Sequence, residues 1–232
     1  MKTPASFAIE SVAINRGHSW AWGRFGSVFL LAAALAGCSA LPDRPTRPVL
    51  YDFGPGQVAP QPQTREANLP PLALADIDTS GLLDSAAVMY RLAYADAQQL
   101  QPYALARWTL PPSQLVSQRL RQRLGERRAV LDVDDSASLK RVDGKLPNIL
   151  RLQLEEFSQI FDSPSQSSGV VRLRATLVEN TPEGDRLIAQ RLVLARQPAP
   201  TADAAGGAKA LVAATDDAAQ QISDWLAQAA TP

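Results

Sequence analysis

The sequence predicts an α+β domain: a mostly antiparallel sheet with two helices packed on one face. Three observations carry this. The runs 150–154 and 171–177 place apolar residues at every second position, the pattern of strands with one buried face. Two other runs repeat apolar residues at three and four: Val116, Leu120 and Leu124, then Leu211, Thr215, Ala218, Ile222, Trp225 and Ala229, the period of a helix stripe. Between the second alternating run and a third strand, Leu187–Ala195, stands Thr181-Pro182-Glu183-Gly184-Asp185, a turn signal that makes them antiparallel neighbours.

In chain order, Val49-Leu50-Tyr51-Asp52-Phe53 is a short strand closed by Gly54-Pro55-Gly56. Five prolines in 55–71 read as a loop. Leu72-Ala73-Leu74-Ala75-Asp76-Ile77 is a second strand, and 86–94 a third, with Val88, Tyr90, Leu92 and Tyr94 on one face. The segment 95–111, around Tyr103 and Trp108, reads as a loop. Pro111-Pro112-Ser113 opens a helix, because proline is pre-organised for a first turn. Gly125 follows that helix, and Arg119, Arg121 and Arg123 lie mostly off its stripe, as a solvated face. Residues 129–133 add an edge strand before the meander. After a loop at 197–207, the last helix runs to about Ala229, with Trp225 read as core. The expected order is β-β-β-α-β-β-β-β-α. The sheet face away from the helices should carry Arg151, Arg172 and Arg174 with Gln153 and Glu155.

The N-terminus carries a different message. Lys2, Arg16 and Arg24 stand against one acid, Glu10, and an apolar run of about a dozen residues follows at 25–36. That run is too short to cross a hydrocarbon core of about 30 Å as a helix. It ends Leu35-Ala36-Gly37-Cys38, which resembles the lipobox of bacterial lipoproteins. The other reading is an ordinary secretory signal with a chance cysteine. The lipobox implies that 1–37 is removed as a signal peptide and that Cys38 is lipidated. It leaves 38–48 as a Pro-rich tether and 49–232 as a single domain. In such lipoproteins an aspartate after the cysteine favours the inner membrane. Ser39 at that position implies the outer membrane, on its periplasmic face.

Composition narrows the chemistry. Cys38 is the sole cysteine, so no intrachain disulfide can form. His18 is the sole histidine and lies in the signal. The mature chain therefore has no side chains for Ser-His-Asp or Cys-His catalysis, nor for a His or Cys zinc site. Removing Lys2, Arg16, Arg24 and Glu10 from 23 residues of each sign leaves 20 basic against 22 acidic, a net of −2. That is no nucleic-acid footprint. Asp132-x-Asp134-Asp135-Ser136 only faintly resembles a calcium loop, because Ala137 stands where glycine is needed and Asp143 where glutamate is needed. Glu155 and Glu156, as neighbours on a strand, should point to opposite faces and so not act as an acid/base pair. No Gly-rich phosphate loop or G-x-S-x-G is present. The expectation is a protein that is not an enzyme and takes no cofactor.

The stretch 89–124 is more specific. Tyr90-Arg91, Tyr103, Arg107-Trp108, Pro112 and Leu120 follow the pattern Y-R, Y, R-W, then a proline-led helix reaching a leucine. Tyr51-Asp52-Phe53-Gly54-Pro55 fits the family's first strand. In these features the chain resembles the ABC-type transport auxiliary lipoprotein family, the PqiC-like proteins. The long Ala/Gly-rich stretch before the last helix departs from that pattern. The resemblance implies a non-catalytic outer-membrane subunit working with an MCE-domain protein and ABC transporter subunits that move lipids or other apolar molecules between membranes. A scaffold or activator lipoprotein of envelope assembly would share anchor, tether and domain. Tyr103 and Trp108 are either core aromatics with polar tips at the rim or contacts to partner or lipid. Arg172 and Arg174, with the exposed sheet edge, are expected to meet the MCE partner or a second copy of the chain.

Overall fold

The computed structural model describes residues 46–56, 69–79, 81–133, 146–181 and 184–229. The unit from Arg47 onward begins with strands β1 (Val49–Tyr51), β2 (Leu72–Asp78) and β3 (Ala87–Leu92). A one-turn helix, α1 (Ala93–Asp96), leads into β4 (Ala97–Trp108). Helix α2 (Pro112–Leu124) and the short β5 (Val130–Asp132) come next. The long strands β6 (Asn148–Ser163), β7 (Gln166–Thr181) and β8 (Gly184–Pro198) follow, then helix α3 (Ala204–Ala229). The signal segment, Cys38, most of the tether, Asp134, Asp135, Ser136, Ala137 and Asp143 lie outside the described residues.

The α+β architecture and its antiparallel meander are as the alternation predicts. β6 pairs β7 and β7 pairs β8, both antiparallel. The other edge of β6 is divided: β2 pairs parallel to its first half and β3 parallel near its end. β5 extends β2, while β4 extends β3 antiparallel and β1 extends β4 in parallel. The result is a mixed eight-stranded sheet. Alternation along a strand reports the buried face but not which neighbour a strand finds, so the parallel partners were not legible.

The segment 95–111 is corrected: most of it is β4, a 12-residue strand. Its Gln, Ala and Pro102 break the apolar/polar alternation, and the register with β3 slips between Ala87 and Met89. A bulge also corrects the account of Glu155 and Glu156. The β6–β7 register shifts between Leu154 and Glu156. Leu154 and Phe157, three apart, both join the core cluster. Both glutamates therefore turn away from the core.

The helices bury their stripes on the sheet. Val116, Leu120, Leu211, Ala214, Ala218 and Ile222 are fully buried against Leu150, Leu152, Val171 and Leu173. Trp225 joins this cluster. α3 lies close because small residues line the contact. A Cβ on Gly169 of β7 would stand 2.5 Å from the Ala210 carbonyl carbon and the Leu211 nitrogen.

Candidate interaction surface

Three neighbouring strands present arginines on the face opposite the helices. Their alternation with Val171, Leu173 and Ala175, all buried, fixes Arg172 and Arg174 outward. Both guanidiniums converge on one carboxylate. Arg174 donates to Glu155 Oε1 from Nε at 2.8 Å, with its Nη2 at 2.7 Å, and Arg172 Nε lies 3.1 Å from Glu155 Oε2. The Arg172 Nε–H is not aimed at that oxygen and is left unbonded, so the contact is ionic without a true hydrogen bond. Two cations sharing one anion leave a local positive excess. Arg151 pairs with Asp185, and Arg196 with Asp162.

Leucines interleave this charge. Leu194 is the direct cross-strand neighbour of Arg172, and Leu192 of Arg174. Both are more than half exposed, at 57% and 51%. In the described structure β8 pairs only with β7, so its outer edge is free. The surface is thus a checkerboard of leucine and arginine beside a 15-residue edge strand. It can take an extended or amphipathic partner carrying acids.

Tyr103 and Trp108 lie elsewhere, on β4. Trp108 is 1% exposed and meets Phe53, Phe157 and Tyr51 edge-on, with ring centroids at 5.7, 5.6 and 6.4 Å. It is core and offers a partner no surface. Tyr103 is half-buried: its hydroxyl donates to Gln159 Oε1 at 2.9 Å, and Gln159 Nε2 donates to Ser167 Oγ at 2.8 Å. Burial pushes the Tyr103 phenol well above its ordinary value, with Tyr90 and Asp203 adding to the effect. Tyr90 sits 4.5 Å from Tyr103 between ring centroids and donates its own hydroxyl to Gln101. Arg91 pairs with the nearly buried Glu156 of β6 at 3.0 Å, and Ser158 donates to the other carboxylate oxygen at 2.6 Å. Pro112 and Leu120 are buried in α2.

The motif 90–120 is therefore mostly an assembly of packing and buried polar contacts, with Arg107 left exposed. Through Arg91 it borders the arginine face, because Glu156, the partner of Arg91, is the direct cross-strand neighbour of Arg172. Gln159, Ser158 and Ser167 were not singled out in the sequence: the signal at Gln159 and Ser167 was a polar residue in step with Phe157 and Phe161 or with Val171 and Leu173, where alternation calls for an apolar one.

Between the two helices Arg119 pairs with Asp216 at 3.2 Å. Burial raises the Asp216 carboxyl, opposed by Arg119 and Arg123. Among the described residues no group of three or more His, Cys, Asp or Glu could hold a metal ion. No helix among them is long and apolar enough to cross a membrane.

Comparison with known proteins agrees with this architecture. A protein from Xanthomonas campestris assigned to the DUF330 family superposes with a TM-score of 0.61 at 17% identity, covering 78% of this chain and 96% of its own. A second solved structure, of an uncharacterized protein, gives a TM-score of 0.55 at 13% identity over 78% and 99% of the two chains. At these identities the likeness is one of fold. No curated protein matches the chain. The model of the ABC-type transport auxiliary lipoprotein component matches residues 51–224. The chain belongs to that family of lipoproteins associated with ABC-type transport.

Proposed function

We propose that the protein is the non-catalytic, outer-membrane docking subunit of an ABC/MCE-type system that moves lipids or other apolar molecules between the two membranes. The observation that carries this reading is the family match, which begins 13 residues past Cys38 at the end of the lipobox. In this reading 1–37 is cleaved and Cys38 is acylated. Residues 38–48 tether the domain 49–232 to the periplasmic face of the outer membrane, as Ser39 favours. The domain works by binding. It holds the distal end of a periplasmic MCE-domain partner, whose ABC subunits supply the energy from the other membrane. No step of bond making falls to this chain, and it needs no cofactor.

The partner meets the face of Arg172 and Arg174, with the β8 edge beside it. The shared carboxylate and the exposed Leu192 and Leu194 support this assignment. A second copy of the chain is the other occupant the edge could take. Charge reversal tests it. Arg172→Glu with Arg174→Glu should sharply weaken pull-down of the MCE partner and lower the melting temperature little, since both side chains are 43% exposed. Unchanged pull-down would move the interface off this face.

The rival reading, a scaffold or activator of envelope assembly, shares the anchor and domain. Gene neighbourhood separates the two: an ATPase, a permease and an MCE protein beside this gene favour transport.

A further inference from the structure

A second apolar patch lies where the chain enters the fold. β1 is the outermost strand on its side of the sheet and pairs only with β4 in the described structure. Leu50 is 64% exposed, Val49 54% and Leu105 50%. Leu50 stands opposite Arg107 in the β1–β4 register, and Leu105 lies two residues before Arg107, so these three share one face of the edge, while Val49, opposite Ala106, lies on the other face of the same edge. Arg47 and Arg107 are both exposed. Leucines and a valine at a strand edge, rimmed by arginines, have the composition of a surface that sits in the headgroup region of an anionic bilayer.

Position in the chain names the occupant. Val49 follows Cys38 by 11 residues, which reach at most about 36–40 Å when fully extended. An acylated Cys38 thus confines β1 to the neighbourhood of the bilayer, and contact between the patch and lipid becomes an intramolecular event at high effective concentration.

We propose that the β1–β4 edge, through Val49, Leu50, Leu105, Arg47 and Arg107, rests on the phospholipid surface that holds the Cys38 acyl chains. The proposal depends on the lipid-anchor reading above. It gives the domain an orientation. β8 is five strand spacings from β1 across the sheet, by way of β4, β3, β6 and β7. At about 4.8 Å each, that carries the β8 edge about 24 Å from the lipid-facing edge. The β8 edge, beside the partner face, then lies at the far side of the sheet from the lipid.

The test uses the full mature lipoprotein reconstituted in vesicles of phosphatidylethanolamine and phosphatidylglycerol. An acylated Cys38 takes no thiol label, so Leu50→Cys, Leu105→Cys and Leu192→Cys each offer one site for an environment-sensitive fluorophore. Brominated phospholipid should quench the probes at 50 and 105 and leave the probe at 192 bright. Arg47→Glu with Arg107→Glu should reduce the quenching at 50 when phosphatidylglycerol is present. Protein that floats with the vesicles while all three probes stay equally bright overturns the apposition and leaves the anchor standing, as does a patch shielded from lipid by a second copy. Protein that does not float with the vesicles overturns the anchor and this proposal with it.

Discussion

Gly169→Ala probes the closest approach in the fold. The added Cβ would stand 2.5 Å from the Ala210 carbonyl carbon and the Leu211 nitrogen, and 2.8 Å from the Ala210 oxygen. Ordinary carbon contacts need about 3.5 Å, so α3 must retreat from β7 by about 1 Å. Core overpacking costs about 1–3 kcal/mol. Here the obstacle is helix backbone, which no rotamer change can relieve, so the upper half, about 2–3 kcal/mol, applies. A domain of this size loses about 2–4 °C per kcal/mol, giving a fall in Tm of about 4–12 °C. Urea denaturation and thermal melts followed by circular dichroism read both quantities. Ala210→Gly should not rescue the variant, because the clash is with main-chain atoms. A Gly169→Ala protein within about 0.5 kcal/mol of wild type, or one rescued by Ala210→Gly, would refute the packing argument.

Further outcomes follow from the anchor, the buried ion pair and the cap of α3. Cys38→Ser should abolish palmitate labelling and leave the protein soluble or uncleaved; persisting label would show that the acyl chain is elsewhere. Glu156→Ala strands Arg91, which keeps only the Ala97 and Gln98 carbonyls, and removes the acceptor of the buried Ser158 hydroxyl. It should cost about 2–3 kcal/mol in denaturant melts. Adding Arg91→Ala should cost less than the sum of the two single changes. The Asp203 carboxyl is held below its ordinary value of 3.8, chiefly by the Gly206 N–H and then by the Thr201 hydroxyl. A depressed carboxylate contributes stability above its unfolded pKa and loses it as pH falls through the folded one. Asp203→Asn keeps a capping oxygen without the titration. Its stability should therefore lie below wild type near neutrality, fall less steeply in acid and approach wild type below about pH 4; parallel acid limbs would contradict the assignment.

What could be read in advance depended on which kind of information each element carries. Alternation in 150–154 and 171–177 reported the faces of β6 and β7, and so put Arg151, Arg172 and Arg174 on the open side. Pro112 and the 116/120/124 spacing reported α2. β4 was missed because its Gln and Ala residues and Pro102 show no period, and its place comes from pairing with β3 and β1 rather than from burying one face. The bulge at Glu155 and Glu156 arises from register with β7, which is a property of two strands and is invisible in one. Gln159 stands between Phe157 and Phe161 in the same parity, and nothing local marks it as a site residue. Its justification is tertiary: it accepts from Tyr103, donates to Ser167 and fills the space left by Gly207, where a Cβ would meet its Oε1. Trp108 matched a family motif, and burial shows why a tryptophan stands there. The exposed leucines at 50 and 105 are ordinary strand residues until the sheet order places β1 outermost.

The central claim is that this lipoprotein holds a transport partner at the outer membrane. The direct measurement is to cross-link intact cells, separate the two membranes on a density gradient, and identify the lipoprotein's adducts by mass spectrometry. The account predicts an adduct with an MCE-domain protein, recovered in the outer-membrane fraction and lost on Arg172→Glu with Arg174→Glu. Recovery of the lipoprotein in the inner-membrane fraction, or in the outer membrane without any MCE adduct, would contradict it.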